Sequence, residues 1–128
     1  MKKKADLVRA WLRKADSDER AMDASVGAGA LDAACFHAQQ AAEKLLKAYL
    51  IRAGVQFPFT HNLAKLLELC AGADPEFKKL RATVEPLTPY AVELRYDVEF
   101  WPSPQEAARA VESVGAIKQF VKRKLAAS

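Results

Sequence analysis

Residues 35–50 decide the fold, and they read Cys-Phe-His-Ala-Gln-Gln-Ala-Ala-Glu-Lys-Leu-Leu-Lys-Ala-Tyr-Leu. At about 100° per residue this run forms a helix with one polar stripe opposite an apolar face. The polar stripe consists of His37, Gln40, Glu43, Lys44 and Lys47. Phe36 and Ile51 lie inside the stripe and Leu50 lies at its edge, so a helix packed on one face would leave them in water. The pattern therefore predicts a helix buried on two sides, with the stripe as a working surface.

The rest of the chain is also helical in period, with glycine and proline at the joints and almost no period-two alternation. The predicted segments are Ala5–Ser25, Leu31–Ala53, His61–Ala71, two short pieces after Asp74-Pro75 that are divided by Pro86 and Pro89, and a last helix from Pro104 to about Leu125. Gly54 is a helix stop, Thr60 an N-cap, and Ser103 and Glu106 a capping box. We expect an all-α, antiparallel up-and-down bundle of three long and two short helices, as a single domain over residues 1–128.

The composition argues against several kinds of site and partner. The net charge of +4 comes largely from lysine and arginine near the two ends, which solvated helix ends explain more simply than nucleic-acid binding does. Cys35 and Cys70 have no CxxC spacing and no histidine cluster around them, so we expect no metal, no disulfide framework and a reducing cytoplasm. No apolar run approaches the roughly 20 residues that span a bilayer, so no membrane association is expected.

Three polar features could carry chemistry. The lysines of the stripe could attract a phosphate or an acidic partner, although a solvated helix face is the commoner outcome. His61 could assist anion binding at a helix N-terminus, or it could be a first-turn residue beside its cap. Arg95, with Tyr96 and Asp97, could bind phosphate and stack a base, or it could be an ion-paired hinge that uses Asp97, Glu99 or Asp18. Asp18 is an unusual acid within the apolar arc of the first helix.

The chain resembles the HEPN domain family (higher eukaryotes and prokaryotes nucleotide-binding) over nearly its whole length. The resemblance lies in Trp11-Leu-Arg-Lys-Ala followed by Asp18, in the run from Cys35 to Ala48, in Thr60-His-Asn-Leu and in Leu94-Arg-Tyr-Asp. It implies an up-and-down helical bundle that usually forms a homodimer. It also implies frequent pairing with a small nucleotidyltransferase encoded alongside, often in a toxin–antitoxin or defence module.

The chain departs from the family at one motif. Many active members are metal-independent RNases with an arginine followed, after four to six residues, by a histidine. Arg95 is the candidate arginine, but Phe100, Trp101 and Pro102 occupy the positions of the histidine, and none follows His61. Without an imidazole the acid–base step has lost its usual agent, so the resemblance places this chain in the non-nuclease branch.

Three hypotheses follow. The first is a dimeric, non-catalytic protein without a cofactor that binds a nucleotide or partners a nucleotidyltransferase. Its expected ligand-binding residues are His37, Gln40, Lys44, Lys47, Arg95, Tyr96 and Asp97, supported by Asp18 and His61. The second is an RNase with a rearranged site, in which His37 or His61 acts beside Arg95. The third is a structural module whose stripe docks a partner helix. The apolar groups on both sides of the second helix also favour a homodimer, with a central helix inside a monomer as the alternative.

Overall fold

The computed structural model describes residues 3–92 and 96–127. Its α-helices are α1 (Lys4–Gly27), α2 (Leu31–Ala53), α3 (Leu63–Ala73), α4 (Arg81–Val84) and α5 (Pro104–Ala127), with 3-10 helices at Pro75–Leu80 and Glu85–Ala91. Over these ranges the chain contains no strand. The predicted all-α helical bundle is confirmed.

Helix α2 is the central element of the bundle. It contacts α1, α3, α5 and the 3-10 helix at Glu85–Ala91. Leu45, Leu46 and Leu50 are almost completely buried, and Phe36 and Ile51 are partly buried. The prediction that this helix is covered on two sides is confirmed, and the cover comes from the same chain. The apolar groups of α2 are therefore not available for a dimer interface, and the expected homodimer would have to form through another surface.

Local sequence sets the helix ends. Gly54 ends α2 in the left-handed region at φ 72°, which a residue with a Cβ rarely adopts. Before α5, the Ser103 hydroxyl accepts from the Glu106 amide at 3.0 Å, and the Glu106 carboxylate accepts from the Ser103 amide at 2.8 Å. This is the predicted capping box.

The start of α3 differs from the prediction. The helix begins at Leu63, and the Asn62 side chain accepts from the Lys65 amide at 3.1 Å. Thr60 instead accepts from the Asn62 amide at 3.1 Å. Asparagine caps a helix at least as well as threonine does, so the chain forms a turn at Thr60 and starts the helix later. His61 consequently lies in the link before α3.

The segment after Asp74 is irregular, as predicted, but it forms three short pieces where two were expected, and Pro86 and Pro89 lie inside the last piece and do not divide the segment. One turn of α-helix, α4, separates the two 3-10 helices, and the second of these contains Pro86 and Pro89. Proline has no amide hydrogen to donate, which favours short helical pieces over one rod. Phe77, Leu87 and Tyr90 from this segment enter the core.

Both cysteines are buried and free. Burial raises the pKa of the Cys70 thiol to about 12, so it stays protonated at neutral pH. In the ranges given above, no helix combines the length and the apolar content needed to cross a bilayer.

Candidate functional site

Asp18 connects α1 to the polar stripe of α2. Its Oδ1 accepts from His37 Nδ1 at 2.9 Å, and its Oδ2 accepts from Lys44 Nζ. The Asp18 side chain is 11% exposed, and those of Lys44 and His37 are 20% and 31% exposed. The unusual acid of the first helix is therefore the partner of two residues in the stripe. Because each oxygen has a charged or polar donor, this carboxylate can be buried without a large desolvation cost.

Glu43 forms a second cluster deeper in the molecule. Its carboxylate accepts from Lys47 Nζ at 3.0 Å, from His61 Nδ1 at 2.9 Å and from Gln39 Nε2 at 3.3 Å. Gln39 also donates to the His61 carbonyl at 3.1 Å, and Gln40 donates to the Gln39 side chain at 2.6 Å. Glu43 thus binds the link between α2 and α3 to the central helix.

Lys47 is an interior residue. Its side chain is only 5% exposed, and its ammonium lies 5.3, 5.8 and 5.9 Å from the ring centroids of Trp11, Phe57 and Phe59. These distances are in the range of cation–π contacts. Since its charge is matched by Glu43 and enclosed by aromatic rings, Lys47 does not face a ligand. The stripe is covered by α1 and residues 55–62, so it is not an open docking face for a partner helix either.

A basic depression opens on the outer side of the Asp18 cluster. It has a volume of about 650 Å³ and is lined by Ala10, Trp11, Arg13, Lys14, Ser17 and Lys44. Arg13 and Lys14 are exposed, and neither forms an ion pair with any residue of the described chain. Three cations beside an indole are the groups that hold a phosphate and a base. We refer to these six residues as the basic depression.

Sequence reasoning did not identify Arg13 and Lys14. Both belong to the stretch that carries the family resemblance, where they follow Trp11 and Leu12. The available signal was the spacing of Trp11 and Lys14, which lie one turn apart on α1 and form neighbours on its surface. The polar stripe on α2 instead predicted a site on a face that α1 covers.

The other expected site residues are dispersed. Tyr96 is 75% exposed, and the Asp97 side chain accepts from the Glu99 amide at 3.0 Å in the same loop. Arg95 lies outside the described residues. His61 is 45% exposed and borders a depression of about 370 Å³ with Asn62, Leu63, Thr88, Ala91 and Val92. Of the expected ligand-binding residues, Lys44 lines the basic depression, and His37 is linked to it through Asp18.

Charge distinguishes the basic depression from a larger one between α3 and the segment after it. That depression, of about 820 Å³, is lined by the cations Lys78 and Arg81 and by the acids Glu68 and Glu85. These formal charges cancel, so a phosphate gains no net attraction there. Among the residues that the structure describes, no group of three or more histidine, cysteine, aspartate or glutamate side chains is placed to hold a metal ion.

Comparison with known proteins identifies relatives of this architecture. The HEPN domain model matches residues 8–124. The crystal structure of TT1696 from Thermus thermophilus is 30% identical, covers 91% of this chain and 97% of its own, and superposes with a TM-score of 0.75. The structure of ST0689, an archaeal HEPN homologue, is 21% identical, covers 97% of this chain and 98% of its own, and superposes with a TM-score of 0.72. No curated protein matches the sequence. The chain therefore belongs to the HEPN family.

Proposed function

We propose that this protein is a non-catalytic nucleotide-binding HEPN protein and that its ligand site is the basic depression on α1. The observation that carries the proposal is the placement of Arg13, Lys14 and Lys44 beside Trp11 in a depression of about 650 Å³. Arg13 and Lys14 have no acidic partner among the described residues. Their charge is available to a phosphate, and Trp11 offers a surface on which a base could stack.

Titration calorimetry with ATP tests the proposal. The Arg13→Ala/Lys14→Ala double variant should weaken ATP binding by about tenfold or more, because two exposed charge contacts contribute up to about 1 kcal/mol each and 1.4 kcal/mol is a factor of ten. The matched control is Lys78→Ala/Arg81→Ala, which removes the same charge from the other depression and should leave the affinity unchanged. The proposal fails if wild-type protein does not bind ATP at millimolar concentration, or if both double variants lose affinity equally.

Partnership with a small nucleotidyltransferase belongs to the same proposal. Support for it comes from the family resemblance, which associates such proteins with a nucleotidyltransferase in toxin–antitoxin-like or defence modules. Co-expression of the two chains, followed by size-exclusion chromatography with light scattering, tests the pairing. A complex of defined mass supports it, and two separately eluting proteins contradict it.

An RNase with a rearranged site is the second candidate, and one observation favours it. His61 is half-exposed, and its Nδ1 is held at 2.9 Å by the buried Glu43 carboxylate. Such an acid orients an imidazole so that Nε2 can accept the proton of a ribose 2′-hydroxyl. The 2′-oxygen then bonds to the phosphorus as the bond to the 5′-oxygen breaks, and the 5′-oxygen leaves as a hydroxyl after it takes a proton from water or from the imidazolium. However, the described residues that line the His61 depression include no cation for the phosphate, which is why we rank this function second.

Incubation with tRNA and mRNA decides between the two functions. Cleavage that disappears in both His61→Ala and Arg95→Ala would establish the RNase. Intact RNA after prolonged incubation with folded wild-type protein would dismiss it. The His37→Ala variant is the control, because His37 pairs with a different acid.

A further inference from the structure

Asp18 is shared between a histidine and a lysine that lines the basic depression. Its two carboxylate oxygens accept separately, Oδ1 from His37 Nδ1 at 2.9 Å and Oδ2 from Lys44 Nζ. With a neutral imidazole, the charges of Asp18 and Lys44 cancel. With a protonated imidazole, the three residues carry a net charge of +1. The charge at this edge of the depression therefore depends on the protonation of His37.

The neighbouring acids do not offset this change. Asp16 pairs with Arg20 at 3.0 Å on α1. Glu19 pairs with Lys118 of α5 at 3.2 Å. From α2, the Gln40 amide is neutral and donates to Gln39 at 2.6 Å. The remaining charged groups of the depression, Arg13 and Lys14, are cations. Asp18 is thus the acid that controls how much of the Lys44 charge a ligand experiences.

We infer that His37, through Asp18, regulates the basic depression, so that it binds nucleotide phosphates more tightly under mildly acidic conditions than under mildly basic ones. The inference rests on the proposed nucleotide site. Imidazole is the side chain that changes charge between about pH 5 and 8. A protonated His37 balances the charge of Asp18, so the charge of Lys44 on the other carboxylate oxygen is no longer cancelled and can attract a phosphate. His37 acts here as a positioning residue, because its ring bonds to Asp18.

The test compares ATP affinity at about pH 5.5 and about pH 8 in wild type and in His37→Gln. The terminal phosphate of ATP also titrates in this range, and His37→Gln measures that contribution alone. The affinity at the acidic pH divided by the affinity at the basic pH should be roughly threefold to tenfold larger in wild type than in His37→Gln. This is the effect expected for one added charge within several ångströms at intermediate dielectric. Equal ratios in the two proteins would overturn the inference.

Two further variants test whether the pH dependence of ATP binding comes from His37 and Asp18. His61→Gln removes the other histidine, which also pairs with an acid that holds a lysine, and it should keep the wild-type ratio. Asp18→Asn releases Lys44 at every pH, so it should tighten ATP binding at about pH 8 and reduce the ratio. Circular dichroism confirms that each variant is folded. If wild type does not bind ATP at either pH, the proposed function itself fails. If ATP binds with the same ratio in wild type and His37→Gln, the nucleotide site stands and only its regulation by His37 is rejected.

Discussion

Glu43 is the residue on which the interior polar cluster depends. It is 3% exposed and accepts hydrogen bonds from Lys47, His61 and Gln39. We expect Glu43→Ala to lower the free energy of unfolding by about 3–5 kcal/mol, because it leaves the buried Lys47 ammonium without its partner. Urea unfolding followed by circular dichroism measures the change.

The double variant Glu43→Leu/Lys47→Met separates the loss of a charge pair from the loss of volume. Replacing both members of a buried pair with apolar groups of similar size is often neutral or stabilising, and the three aromatic rings around Lys47 can pack against methionine. We therefore expect the double variant to recover most of the stability. A double variant as unstable as Glu43→Ala would contradict this account.

Helix α5 begins at a capping box, so its stability depends on one hydroxyl. Ser103→Ala removes the acceptor of the Glu106 amide, 3.0 Å away. The expected cost is about 1 kcal/mol of unfolding free energy, measured by urea denaturation. Ser17→Ala is the control, since Ser17 lies in the middle of α1, where alanine is a better helix former. An equal effect of the two substitutions would argue against the cap.

The end of α5 is attached to the start of the segment after α3 by ion pairs. Lys124 lies 2.6 Å from Asp74 and 2.5 Å from Glu76, and Arg123 lies 2.9 Å from Glu76. The hydrogen bond from Lys124 and, to a smaller extent, the one from Arg123 lower the pKa of the Glu76 carboxyl from 4.5 to about 2. The Lys124 ammonium likewise lowers the pKa of Asp74. A lowered pKa stabilises the folded protein above the unfolded value, and this contribution is lost as the pH falls toward the folded value.

Wild-type protein should therefore lose stability between about pH 5 and about pH 2, and Lys124→Met should show a shallower loss over the same interval. Calorimetric melting temperatures across this range measure both slopes. Lys122→Met is the control, because Lys122 is exposed and forms no ion pair within the described chain. Identical slopes for wild type and Lys124→Met would show that these ion pairs do not control the acid response.

At the scale of the whole molecule, four of the six large apolar side chains that are exposed among the described residues lie in the loop before α3 or the loop before α5. Phe59, Tyr96, Val98 and Trp101 are 92%, 75%, 88% and 70% exposed. Aromatic residues are enriched at protein interfaces. The homodimer implied by the family resemblance stays a prediction. These loops, and not α2, are its candidate interface. Light scattering after size-exclusion chromatography should give twice the chain mass for wild type and a smaller mass for Tyr96→Ser/Trp101→Ser. A monomeric wild type would contradict it.

Interactions between residues close in sequence determined most of the secondary structure. The predicted second helix, Leu31–Ala53, has the same bounds in the structure, and Gly54 ends it in the left-handed conformation. Its stop, the capping box before α5 and the prolines after Asp74 act through neighbours within four residues. The amino-acid sequence by itself therefore indicates where the helices lie and that α2 is covered on two sides.

The tertiary structure decided which polar groups are available to a ligand. Lys47 and Lys44 look alike in the helical period, yet one is enclosed by aromatic rings and the other borders a basic depression. The difference depends on partners far away in sequence, Asp18 for Lys44 and the link containing His61 for the cluster of Lys47. A helical period records which residues share a face, but it contains no information about which element covers that face. Long-range packing of α1 and residues 55–62 on α2 supplies that information.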